Sequence, residues 1–156
     1  MGNKYHLVES NVVIFTPSFF KTDFFRSNLV LMKENFANVI FPEIEDNVPA
    51  GNLLIDYHNI INPSDDRENI LEIRRRIFTV DEWAQVLYSN ISNEKQGKFR
   101  KDSFFNLSYI ELKSGKIFAV YALLDTSLIW CLGANSIDDH KRGDSFGRYL
   151  FSKSNK

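Results

Sequence analysis

Residues 104–132 constrain the fold more than any other part of this sequence. Three extended runs, 104–112, 117–124 and 128–132, are joined by the connections Lys113-Ser-Gly-Lys116 and Asp125-Thr-Ser127. Connections that short join antiparallel neighbours, because a parallel return needs a crossover of roughly a dozen residues or more. The middle run, Ile117-Phe-Ala-Val-Tyr-Ala-Leu-Leu124, is apolar at consecutive positions rather than alternate ones. A strand of that kind is buried on both faces, which places it at the centre of a sheet. An antiparallel meander is the result.

Other segments supply the partners. Residues 5–15, rich in β-branched residues, read as a strand, and residues 53–57 as another. Thr16-Pro17 looks like a helix start, with Phe19, Phe20, Phe24 and Phe25 as the stripe of a short helix over 18–27. Residues 29–32 and 36–41, separated by Lys33-Glu-Asn35, read as a hairpin. The middle of the chain carries two helical patterns. Over 65–77, Ser64 caps, Asp65, Asp66 and Glu68 open the helix, and Arg74, Arg75 and Arg76 close it, an order that complements the helix dipole. Over 80–91, Thr79 and Glu82 fit a capping box, and Trp83, Val86, Leu87 and Ile91 form the apolar stripe. The C-terminal Phe146, Tyr149, Leu150 and Phe151 offer a last short amphipathic element.

Strands on both sides of a helical pair predict an α+β fold. The expectation is one domain over residues 1–156, a mostly antiparallel β-sheet whose C-terminal meander packs against two central helices. Ile73, Ile77, Trp83, Leu87, Val120, Ala122, Leu123 and Trp130 are the expected core. Leu, Ile, Val and Phe make up 51 of 156 residues. That fraction is well above the roughly 20% floor associated with disorder. The longest apolar run is eight residues, whereas a spanning helix needs about 20. Without a signal-peptide pattern, and with Cys131 as the only cysteine, the reading is a cytoplasmic protein with no membrane partner. Cys131 lies in an apolar run and is expected to behave as a small hydrophobe.

Phosphate-binding glycine loops, a nucleophile elbow and the His-Glu-x-x-His zinc motif are all missing from the sequence. The three histidines, His6, His58 and His140, lie on separate segments. His58, at the end of an expected strand, is the best placed of them for acid–base work.

One pattern carries chemistry. Asp102 precedes a strand that ends in Glu111-Leu-Lys113, and residues two apart on a strand project from one face. Two carboxylates and a lysine converging there would hold Mg²⁺ and orient a water for phosphodiester cleavage. The pattern resembles that of the PD-(D/E)xK nucleases, over residues 102–113 only. It departs from them in having Lys101 where the family has proline, and in following Lys113 with a turn and a strand rather than a helix. The resemblance implies Asp102, Glu111 and Lys113 as catalytic residues and Mg as the cofactor.

Charge points elsewhere. The 19 basic and 20 acidic residues leave a net charge of −1, which argues against nucleic-acid binding by bulk charge. The distribution is uneven. Residues 1–63 hold 4 basic and 7 acidic groups, and residues 99–156 hold 9 basic and 6 acidic. Glu43, Glu45 and Asp46, with Asp65 and Asp66, are candidates for one negative patch that steers a basic protein partner. Fourteen phenylalanines and six tyrosines exceed the needs of a core this size and suit an interface. The leading expectation is a non-enzymatic binding protein with no cofactor, an inhibitor such as an immunity protein that neutralises a basic toxin domain by occlusion. The alternative is the metal-dependent nuclease.

Overall fold

The meander forms as the connections require. In the computed structural model, which describes residues 5–60, 76–92, 98–101, 105–137 and 148–154, β7 (Phe105–Glu111), β8 (Ile117–Leu124) and β9 (Trp130–Ser136) pair antiparallel in sequence order. Gly115, at φ 90°, makes the first turn. Asp125 makes the second, its Oδ1 accepting from the backbone N–H groups of Ser127 and Ile129.

Around this nucleus the sheet grows to eight strands. Its order is β1 (Tyr5–Thr16), β5 (Gly51–Ile60), β10 (Arg148–Lys153), β7, β8, β9 and β3 (Val30–Met32), with β6 (Phe78–Thr79) also on β7. Pairing is mostly antiparallel. The β10–β7, β6–β7 and β9–β3 contacts are parallel. The C-terminal segment is thus an interior strand between β5 and β7, not a peripheral amphipathic piece. Alternation explains it. Leu150 and Phe151 are both buried, on opposite faces, as an interior strand requires.

One helix covers the first face. The α2 helix (Val80–Ser92) starts with the predicted capping box: Thr79 N–H donates to Glu82 Oε1 at 2.8 Å, and Glu82 N–H donates to Thr79 Oγ1 at 3.2 Å. Trp83, Val86, Leu87 and Ile91 are buried, as are Gln85, Ser89 and Asn90 on its other sides. A helix buried beyond one stripe needs a second cover. Residues 19–48 are that cover. They contain a short strand β2 (Phe19–Phe20) paired with β4 (Asn47–Val48), a helix α1 (Lys21–Phe25), a π-helical turn at Phe36–Ile40 and a 3₁₀ turn at Phe41–Glu43. Phe25 and Phe36 pack on Trp83 with ring centroids 6.4 and 5.4 Å away, and Phe19 stacks on Tyr88 at 4.1 Å.

Several expectations need correction here. The hairpin over 29–41 does not form. Residues 30–32 pair with β9 instead, and residues 36–40 wind into a helical turn: Phe36 and Ile40 are buried while Asn38 between them is exposed, which the alternation of a strand would not give. Thr16 ends β1 rather than capping a helix, and the helical turn begins only at Lys21. Leu123 is half-buried, because it projects from the face opposite Val120 and Ala122. Ile77 is half-buried against that same face, where Leu107, Tyr109, Ala119 and Leu150 make a second, smaller core. Of the two central helices, the later is α2. The earlier, over 65–77, falls almost wholly outside the described residues, as does Ile73, and its described end at Arg76 and Ile77 leads directly into β6. Trp83, Leu87, Val120, Ala122 and Trp130 are core residues as expected.

Two buried asparagines close the core near the end of α2. Asn90 Oδ1 accepts from the Lys98 N–H at 2.7 Å, and its Nδ2 donates to Tyr57 Oη at 3.2 Å. Asn106 Oδ1 accepts from the Arg100 N–H at 2.8 Å, while its Nδ2 donates to the carbonyls of Arg100 and Ala122. Between these anchors Phe99 is driven into the core, 4.8 Å from Phe151 and 5.8 Å from Trp130.

Candidate functional site

The β6–β7 pairing brings several charged groups together at one place on the surface. Thr79 lies opposite Glu111, so α2 begins beside the end of β7. The turn after β7 then carries Lys113 toward the first residues of α2. Residues 41–46 reach the same place from the other side, where the Glu45 N–H donates to Asp81 Oδ1 at 3.0 Å. Lys113 Nζ donates to Glu45 Oε1 at 3.2 Å, with both side chains well exposed. The hydrogen bond to Glu45 raises the Lys113 pKa above its ordinary value, and the charges of Glu45, Glu43 and Asp81 add to the effect. Four groups from three separate segments therefore share one electrostatic neighbourhood. Three are acids.

Asp46 stands beside them with a side chain 98% exposed, 3.7 Å from Lys21 Nζ. Lys21 itself is buried. Its ammonium donates to the carbonyls of Phe41 at 3.0 Å and Ile44 at 2.8 Å and lies 4.5 Å from the Phe41 ring centre. It satisfies the carbonyls at the end of the 3₁₀ turn and so holds residues 41–46, and their carboxylates, in place.

Of the residues singled out in the sequence, Glu43, Glu45 and Asp46 are thus together. Asp65 and Asp66 lie outside the described residues. Asp81 joins the patch and was missed, because an acid in the first turn of a helix is explained locally by the dipole. Of the nuclease set, Asp102 is outside the described residues, Glu111 is exposed at the end of β7, and Lys113 turns to Glu45. Among the described residues, no group of three or more His, Cys, Asp or Glu side chains is arranged to hold a metal ion.

A second polar group sits on the opposite face. Arg76 Nη1 lies 3.5 Å from Asp56 Oδ2, both mostly buried. His58, two residues along β5 on the same face, has its pKa lowered by burial and by the Arg76 charge, partly opposed by Asp56. It is neutral at pH 7. His140 is outside the described residues, and His6 belongs to β1. The Cys131 thiol is half-buried 3.8 Å from Asp125 Oδ2. Burial, then the Asp125 charge, push its pKa up, away from thiolate chemistry.

No described helix is long and apolar enough to cross a membrane. Neither a protein-family model nor a curated protein nor a solved structure matches this chain.

Proposed function

We propose that this protein binds another protein and acts by occluding it, in the manner of an inhibitor or of an immunity protein that neutralises a basic toxin domain in the cytoplasm. One observation carries the reading. Glu43 and Glu45 on one segment and Asp81 on another lie close enough together to act on one lysine, the Glu45 N–H bonded to Asp81 and its carboxylate to Lys113, with Asp46 fully presented beside Glu45 in the chain. Convergent surface acids accelerate and select encounter with a cationic partner, at a rate that falls with salt. Phe15 and Phe20, 61% and 59% exposed, supply apolar contact of the kind that dominates interface energies.

Co-expression with a basic toxin domain encoded beside this gene tests the proposal. Wild-type protein restores growth, and replacement of Glu43, Glu45, Asp46, Asp65 and Asp66 by alanine weakens binding and flattens its salt dependence. Unchanged binding by the five-fold variant removes the electrostatic basis. The same purified protein, incubated with Mg²⁺ and labelled DNA or RNA, leaves both intact. Metal-dependent cleavage that is lost in Glu111→Gln would replace this reading with the nuclease.

A further inference from the structure

We infer that the outer edge of β1 over residues 12–16 accepts an extended segment of the partner as an added strand, and that this segment carries lysine or arginine where it runs on toward Glu45 and Asp46. The inference rests on the protein-binding reading above and specifies how the partner is held.

The sheet ends at β1, which pairs with β5 and with no other described strand. An edge strand leaves about half of its main-chain donors and acceptors pointing outward, and these are matched by another extended chain. Edges are commonly blunted by lysine, by proline or by bulges. In β1 the bulges are confined to the first half, where the register shifts twice between Leu7 and Val12. From Val12 to Thr16 the register with Ile55 to Gly51 is unbroken, and the residues are Val-Val-Ile-Phe-Thr, with no charge or proline. Val13 and Phe15 project from one face, 50% and 61% exposed. Regular geometry, an edge that no other described strand pairs with and exposed apolar side chains coincide in one short stretch.

The path beyond this stretch defines the partner. Phe15, Thr16 and Pro17 line a shallow groove with Ala50, Gly51 and Asn52. Beyond it Phe19–Val48 and Phe20–Asn47 pair as a separate two-stranded sheet, and Asp46 follows on the strand beside β2, its carbonyl accepting from the Lys21 N–H at 2.9 Å. Five residues of extended chain span roughly 16 Å, so a peptide of ten residues or so, on the order of 33 Å when extended, is long enough to run from Val12 past the end of β2 at Phe20, one residue before the Lys21 that bonds Asp46. Charge complementarity makes its far end basic. A second copy of this chain fits less well. The bulges bend the first half of β1 away from a flat pairing, and a two-fold contact limited to the regular residues falls far below the roughly 1,200 Å² of a stable dimer.

The probe is a synthetic peptide with alternating threonine and valine followed by three lysines, added to ¹⁵N-labelled full-length protein. Expected are shifted amide signals and slowed amide exchange over residues 12–16, with shifts at Glu45 and Asp46. Phe15→Lys weakens binding at least tenfold, and a peptide with proline at alternate strand positions does not bind. Shifts confined to residues 43–46 and 81 overturn strand addition and leave the acidic-patch reading standing. Shifts over 12–16 that are indifferent to salt, and to lysine-to-glutamate replacement in the peptide, overturn the basic-partner assignment and count against the acidic patch as well. No response at millimolar peptide, or concentration-dependent dimerisation of the protein alone through residues 12–16, overturns the inference.

Discussion

Glu45 and Lys113, 68 positions apart in the chain, meet across 3.2 Å at the surface. Each was notable in the sequence for a different reason, one as an acid for a partner and the other as a possible water-activating lysine. In the fold they form one exposed ion pair. Because both are exposed, the pair is a small contributor to stability. Its chemical signature is larger. Glu45→Gln lowers the Lys113 pKa toward the ordinary lysine value, detectable as faster amine labelling at Lys113 with an unchanged melting temperature. Labelling that does not change would show that Glu45 does not control this ammonium.

Tyr121 covers Gly133 across the β8–β9 pair, and a Cβ at position 133 would come within 2.2–2.5 Å of the phenol ring. Glycine in an interior strand usually weakens it, unless a neighbour needs the space. Gly133→Ala is therefore expected to cost about 1–3 kcal/mol by overpacking. In a Tyr121→Ala background the same change becomes nearly neutral, which denaturant unfolding of the four proteins of the cycle measures. Additive losses would show that the ring does not set the cost.

The meander, α2 and its capping box were legible in the sequence because each is specified locally, by short connections, by helical spacing and by residues three apart. The place of β10 was not. Its apolar pairs fit any short buried element, and only pairing with β5 and β7, about 90 and 40 residues away by position, makes it an interior strand. Residues 29–41 mislead for the opposite reason: a polar trio between two apolar runs imitates a hairpin, while Phe36 packs on Trp83 and Ile40 enters the same core as part of a helical turn. For the acidic patch, Glu43, Glu45 and Asp46 stood out as a cluster. Asp81 and Lys113 joined it only through the β6–β7 contact, which leaves no local pattern.

Asn90 and Asn106 act on one segment from two sides, so their losses are coupled. Asn106→Ala leaves the Arg100 N–H and the Ala122 carbonyl without the partners they have now. A buried group left unsatisfied costs about 1–3 kcal/mol. With the anchors gone, Phe99 has less to hold it against Phe151. Asn106→Ala should destabilise the protein by about 2–3 kcal/mol on that basis, and hydrogen exchange at the Arg100 amide should accelerate more than at Ile110. In the double variant with Asn90→Ala the total loss falls short of the sum, since either change releases the same segment. Full additivity would indicate two independent anchors.

His58 makes stability depend on mild acid. Its folded-state pKa lies below the ordinary value of about 6.5, first because burial disfavours the charged ring and second because Arg76 is already positive nearby, with Asp56 only partly compensating. The unfolded chain consequently takes up a proton at a higher pH than the folded one. Stability from this group is fully present above about 6.5 and falls as pH drops toward the folded-state pKa. His58→Gln keeps a polar side chain of similar size but cannot gain charge. Between about pH 7.5 and 5.5, wild type should therefore lose more melting temperature than His58→Gln. The other titratable groups are shared by both proteins, so they drop out of the comparison. An equal loss in the two proteins would mean that His58 carries the same proton affinity folded and unfolded, and that burial and the Arg76 charge do not hold it neutral.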